Sequence, residues 1–231
     1  KMDLVHAAAS GFLHTLRPGD RGAVVAFSDN VDVLQTLTAD MARLGAAVQA
    51  THSHGGTALY NAVYIALKEF GRAAHSPGDV RRQAIVVLTD GADTTSLVTF
   101  DDVLALAHEM GVNIYTVRLQ SEYAVQRVAQ EGGRRFFSES DYAMTTLARD
   151  TGAEAFFPPP AQLNGIYSAI ASDLANEYSL GYVPGNTHDD GRFRRIIVRV
   201  VTRPALRART RQGYSVGWGL RAGTTNRIPN P

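Results

Sequence analysis

The segment that most constrains this chain is the run Ala84-Ile85-Val86-Val87-Leu88. Five consecutive apolar residues, three of them β-branched, read as a strand buried on both faces. Such strands belong to parallel sheets with helices packed on either side. The run then enters Thr89-Asp90-Gly91-Ala92-Asp93, which places two carboxylates at the end of a buried strand. In open α/β sheets, ligands bind in the crevice beyond the carboxyl ends of the strands. Asp90 is therefore the first candidate functional residue, with Asp93 beside it.

The flanking sequence supports this architecture. Leu4, Val5, Ala8, Phe12 and Leu16 recur at helical spacing until Pro18-Gly19-Asp20 ends the helix. Residues 23–27 and 31–34 are two short strands joined at Ser28-Asp29-Asn30, which reads as a hairpin turn and nothing more. Thr38 is placed to cap a helix reaching Gln49. Leu59, Ala62, Val63, Ala66, Leu67 and Phe70 mark another helix ahead of the central run. A helix around residues 103–110, stopped by Gly111, leads into a strand at 112–119. Residues 153–157 form the last core strand, and Leu163 to Tyr178 the last helix. The alternation predicts a doubly wound α/β fold, mostly parallel, with helices on both faces.

Composition changes near residue 191. Up to that point there are 22 acidic residues against 13 Lys and Arg, a balance of −9. Beyond it stand ten Arg and no acid. Hydrophobic periodicity changes with it, to two: residues 178–183, 194–202 and 206–210 read as antiparallel strands. The expected organisation is an α/β domain over 1–177, an antiparallel β-extension over 178–216 and a flexible tail over 217–231. Absence of cysteine excludes disulfide and thiolate chemistry. No apolar run approaches membrane-spanning length, and no signal peptide is visible. Because Lys1 is not a translation start, the expectation is a fragment of a longer product that enters directly into its first helix.

Asp90 gains meaning from the loop His52-Ser53-His54-Gly55-Gly56-Thr57. Two glycines let the backbone approach a ligand, and Thr57 stands where the next helix begins. A hydroxyl and a carboxylate make a hard oxygen site suited to Mg²⁺. Gly-Gly-Thr-Ala-Leu followed by a buried strand ending Leu-Thr-Asp-Gly-x-Asp resembles the von Willebrand factor A domain and its metal-ion-dependent adhesion site. The resemblance implies that Thr57 and Asp90 are metal residues, with Gly55, Gly56, Gly91 and Asp93 shaping the site. It also implies Mg²⁺ as cofactor and a protein partner supplying an acidic side chain. The residues after 178 resemble a bacterial subgroup with a C-terminal β-extension, which implies a secreted or envelope location.

One departure stands out. The family's Asp-x-Ser-x-Ser segment, at the end of its first, central strand, is absent from this sequence. That strand would lie between the hairpin and the strand ending at Asp90. Two expectations follow: residues 23–27 and 84–89 are separated or imperfectly paired, and metal binding by this chain is weak or absent.

Other signals are read more plainly. His52 and His54 have a zinc-like spacing but no third ligand nearby, so they mark a solvent-facing loop. Asp93 suits a helix cap or turn. Arg195, Arg199 and Arg203 recur every four residues, while Arg207, Arg209 and Arg211 alternate, so each set shares a strand face. Arg195, Arg199, Arg207 and Arg209 are candidates to face a partner, and packing against the acidic domain is the competing role. Without interleaved aromatics they do not suit single-stranded nucleic acid. The leading function is a non-enzymatic binding module. The alternatives are a metal-independent scaffold using the Arg-rich extension, or a metal-dependent hydrolase using Asp90 and Asp93.

Overall fold

The computed structural model describes residues 2–72, 82–121, 137–185, 188, 190, 192–203 and 205–215. Helix α1 (Met2–Leu13) leads into β1 (Gly22–Phe27) and β2 (Val31–Thr38), an antiparallel hairpin. Helices α2 (Met41–Gln49) and α3 (Leu59–Arg72) follow, then β3 (Ala84–Thr89), α4 (Phe100–Met110) and β4 (Asn113–Arg118). The core closes with α5 (Glu139–Thr151), β5 (Ala155–Phe156) and α6 (Leu163–Ala175). Strands β3, β4 and β5 form a parallel sheet in that order.

Strand β4 shows why the sheet needs helices on both faces. Ile114 packs with Leu59, Val63, Leu67 and Val103 from α3 and α4. Its neighbours Tyr115 and Val117 pack with Ala8, Leu163, Tyr167 and Ile170 from α1 and α6. Successive strand side chains point to opposite faces, so the two clusters lie on opposite sides of one sheet. The termini of α4 follow the sequence closely. Gly111 adopts φ 67° at the end of α4, a left-handed cap that glycine takes at no steric cost. Thr99 and Asp102 form a reciprocal capping box at its start. The cap of α2 is Asp40 rather than Thr38: the Asp40 carboxylate accepts from the amides of Ala42 and Arg43, and Thr38 Oγ1 accepts only from Asp40 N.

The predicted gap is present. Among the described residues, strand β1 pairs only with β2 and β3 only with β4, so each has one edge without a ladder partner there. Both strands line a cavity of about 780 Å³, together with Phe12 and Leu13 of α1 and Ala171 and Leu174 of α6. Only Val87 and Thr89 of β3 are fully buried. The apolar run is thus half-covered, contrary to the expectation from its composition, because one of its edges faces this slot.

The C-terminal region departs further from expectation. Strands β6 (Phe193–Arg195) and β7 (Gly213–Ser215) pair antiparallel over three residues each. Residues 178–183 and 206–210 are not in strands. Alternation specifies a strand only when one face can be buried, and Tyr178, Leu180 and Tyr182 are all exposed. The last core strand shrinks to two residues and α6 ends at Ala175 rather than Tyr178. The tail over 217–231 and most of the segment around 120–142 lie outside the described residues.

Tyr167 provides a test of the core facing α1. Burial pushes its phenol up to about 12 from the ordinary 10.0. The folded state holds the proton more tightly than the unfolded chain, so this contribution is complete below pH 10 and is lost as pH rises toward 12. The difference corresponds to about 2–3 kcal/mol. Urea unfolding across pH 9–12 should show that decline, and Tyr167→Phe should make it shallower.

Candidate functional site at the carboxyl edge of the sheet

The predicted site loop and the end of β3 meet at one edge of the sheet. Thr57 is the contact point. Its backbone N–H donates to Thr94 Oγ1 at 2.9 Å, and its carbonyl accepts from Thr94 N at 2.9 Å. A Cβ on Gly91 would stand 3.2 Å from Thr57 Oγ1, so the hydroxyl lies directly against the turn that follows Asp90. Gly91 N is held by Thr89 Oγ1 at 3.2 Å, and Leu119 N donates to Thr89 O at 2.8 Å. Asp90 itself is exposed.

Asp93 is structural. Its Oδ1 accepts from Tyr60 N at 3.2 Å and from the Ser96 hydroxyl at 2.5 Å, which caps the first turn of α3 from a neighbouring loop. Asn61 reciprocates, its Oδ1 accepting from Leu97 N and Val98 N. The carboxylate beside Tyr60, after desolvation, raises the Tyr60 phenol above its ordinary value.

The structure corrects one sequence reading. Asp29 is more than a turn residue. Its Oδ1 accepts from Gly56 N at 2.7 Å, and Ser28 O accepts from Ala58 N at 2.7 Å. The hairpin turn therefore grips both sides of Thr57. Gly55 has φ 67°, and a Cβ there would overlap the Asp29 carboxylate; one at Gly56 would lie 2.5 Å from Asp29 Oδ1 and 2.9 Å from Thr95 Cγ2. The two glycines are required by Asp29 as much as by any ligand. Gly55→Ala should cost about 1–2 kcal/mol for the left-handed backbone alone, with more from the overlap. Denaturant unfolding of Gly55→Ala against Gly11→Ala, a position with open space around it, measures the difference.

The donor chemistry fits a hard divalent cation, since Thr57 and Asp90 both offer oxygen. Their number does not complete a shell of six, and no group of three His, Asp or Glu residues able to hold a metal occurs among the described residues. His52 and His54 are exposed in the loop ahead of Gly55. Arg209, expected to face a partner, faces the domain instead. It donates to Gly152 O at 3.0 Å and Glu154 Oε2 at 2.7 Å and also pairs with Asp173. A Cβ on Gly152 would lie 2.7 Å from Arg211 N, so the extension's backbone runs flush against the C-terminus of α5. Packing against the acidic domain holds for Arg209, while Arg195, Arg199 and Arg207 remain exposed.

The family model for the von Willebrand factor type A domain matches residues 1–150. The chain belongs to this family. Domains of this type generally mediate protein–protein interaction. Among solved structures, the fold is similar to BatB from Bacteroides thetaiotaomicron, with TM-score 0.55 and 14% identity over 75% of this chain and 86% of that one. A von Willebrand factor type A protein from Catenulispora acidiphila gives TM-score 0.57 and 19% identity; the match covers 74% of this chain and only 38% of that one. The vWF domain of the type V pili tip protein Mfa5 from Porphyromonas gingivalis gives TM-score 0.55 and 12% identity, over 79% and 91%. These likenesses establish the fold. A search of curated proteins finds no match. No helix among the described residues is long and apolar enough to cross a membrane.

Proposed function

We propose that this chain is a non-enzymatic protein-binding module whose contact point is a Mg²⁺ site at the carboxyl edge of its sheet. Thr57 and Asp90 are two of the metal's oxygen ligands in this reading, and Gly55, Gly56 and Gly91 shape the space around them. The observation that carries it is the contact of the Thr57 hydroxyl with the Gly91 turn, beside the open edge of β3. A strand entering the slot between β1 and β3 would end at this same edge if it ran parallel to β3. Oxygen-bearing residues at its end would then join Thr57 and Asp90. An acidic side chain from a protein partner would complete the shell, since Mg²⁺ takes few protein ligands and prefers oxygen.

A secreted or envelope location agrees with the nature of two proteins of similar structure. One is an aerotolerance-related membrane protein from Bacteroides fragilis, and the other is the pilus tip protein Mfa5.

Calorimetry with Mn²⁺ and Mg²⁺ on the chain carrying an Asp-x-Ser-x-Ser strand ahead of its first helix tests the reading. Binding heat is expected, and Asp90→Ala and Thr57→Ala should each remove it. Absence of heat in the lengthened chain, with its fold intact, would overturn the metal site.

A further inference from the structure

The arginine-rich extension carries a second surface, remote in sequence from Thr57 and Asp90. From residue 193 to 201, exposure alternates with period two. Phe193, Arg195, Ile197, Arg199 and Val201 are exposed, while residues 194, 196, 198 and 200 are half-buried. One face of an extended segment thus presents apolar and guanidinium groups in strict alternation. Neighbours on such a face stand about 6.6–6.8 Å apart.

Two further facts make this a binding surface. Arg194 pairs with Asp190 and Arg209 with Glu154 and Asp173, but Arg195, Arg199 and Arg203 form no ion pair among the described residues. No acid occurs after Asp190 to neutralise them. Residues 197–201 belong to no sheet ladder among the described residues. Ile197 and Val201 are 63% and 88% exposed, a poor resting state for aliphatic groups.

We infer that residues 193–201 bind an extended acidic segment of another protein by strand addition. The backbone supplies the ladder, and the alternating face supplies specificity. Cross-strand neighbours on one face stand close enough to pair directly. Carboxylates opposite Arg195 and Arg199, with aliphatics opposite Ile197 and Val201, give a four-residue repeat in the partner. An extended chain has the same rise per residue, so its register holds along the whole stripe. A lipid surface or a nucleic acid backbone would use the charge but not the alternation.

Fluorescence anisotropy with labelled peptides tests this on the intact chain. A peptide of Glu-Thr-Val-Thr repeats, with Glu and Val on one face, is the probe. A Glu-Val-Thr-Thr peptide has the same composition with Glu and Val on opposite faces. The first should bind about tenfold or more tightly than the second. Binding should fall by a similar factor in Arg195→Gln/Arg199→Gln, whose side chains are exposed. N-methylating the first peptide at alternate backbone positions, in both phases, should abolish binding in one phase, because methylation removes ladder donors and keeps charge. Equal affinity for the two peptides, or indifference to N-methylation in both phases, would overturn strand addition. So would tighter binding to phosphatidylglycerol vesicles or single-stranded DNA than to the first peptide. Thr57 and Asp90 take no part, so Asp90→Ala should bind the peptide unchanged whether or not the metal site is correct.

Discussion

Replacing Asp141 by alanine is expected to destabilise the fold by about 3–5 kcal/mol, the range for removing one partner of a buried ion pair. Asp141 is 2% exposed and serves two elements at once. Its Oδ1 accepts from Arg118 Nη1 at 2.5 Å, at the end of β4, and its Oδ2 accepts from Ser138 N at 3.0 Å in the capping box of α5. Removing the carboxylate deletes the N3 half of the capping box, worth up to about 1 kcal/mol, and takes the ionic partner from the Arg118 guanidinium, which keeps a hydrogen bond to Ser138 Oγ at 3.2 Å. Arg118 Nε is buried with no hydrogen-bond partner among the described residues. The pair is not simply a stabilising contact, because the carboxylate and most of the Arg118 side chain, which is 25% exposed, were taken out of water to make it. The double variant Arg118→Met/Asp141→Leu should therefore recover most of the loss. Urea unfolding of the two variants separates the readings. A loss below about 1 kcal/mol in Asp141→Ala would show that the carboxylate acts only as a helix cap.

What the sequence made legible follows from how local each signal is. The apolar run of β3, the glycine that ends α4 and the periodicity of α3 are set by neighbours in the chain, and each is found where the pattern places it. The gap beside β3 was legible too, since a motif missing from the sequence implies a missing neighbour in the sheet. Asp29 was not legible. Its hydrogen bond reaches Gly56, 27 residues away, and Ser-Asp-Asn reads the same whether the carboxylate meets solvent or another loop. The only available signal was the pair of glycines, which a nearby bulky group can require as well as a ligand can. The extension misled for the opposite reason. Its alternation is strong, but alternation says which face differs, not that anything covers it. Residues 197–201 keep the pattern and lack the ladder. Arg209 shows the limit of reading charge by strand face: it shares a period with Arg207, yet it turns to Glu154 and Asp173 because the acidic domain lies within its reach.

The slot between β1 and β3 leads to the other large expected effect. An apolar strand supplied at the amino end of the chain should raise stability by on the order of 5 kcal/mol. Both bordering strands are six residues long, so a six-residue occupant matches them. Burying its side chains gains about 1.5–3 kcal/mol each for large aliphatics. Ordering backbone and side chain costs a similar amount per residue. Those two contributions nearly cancel, which leaves the new backbone hydrogen bonds to two edges, each worth about 0.5–1.5 kcal/mol net. For a domain of this size the gain corresponds to a thermal midpoint higher by roughly 10–20 °C. A strand of Val and Ile without any Asp or Ser tests this apart from metal binding. A control strand with Lys at alternate positions should give no increase, since the slot is lined by Phe12, Leu13, Val24, Val25, Ile85 and Val86 and an unpaired charge there is costly. Calorimetric scans of both chains decide the matter. If the apolar strand leaves the midpoint where it was, the edges of β1 and β3 are not a strand site, and the proposed metal ligands would have no scaffold to bring the remaining donors to Thr57 and Asp90.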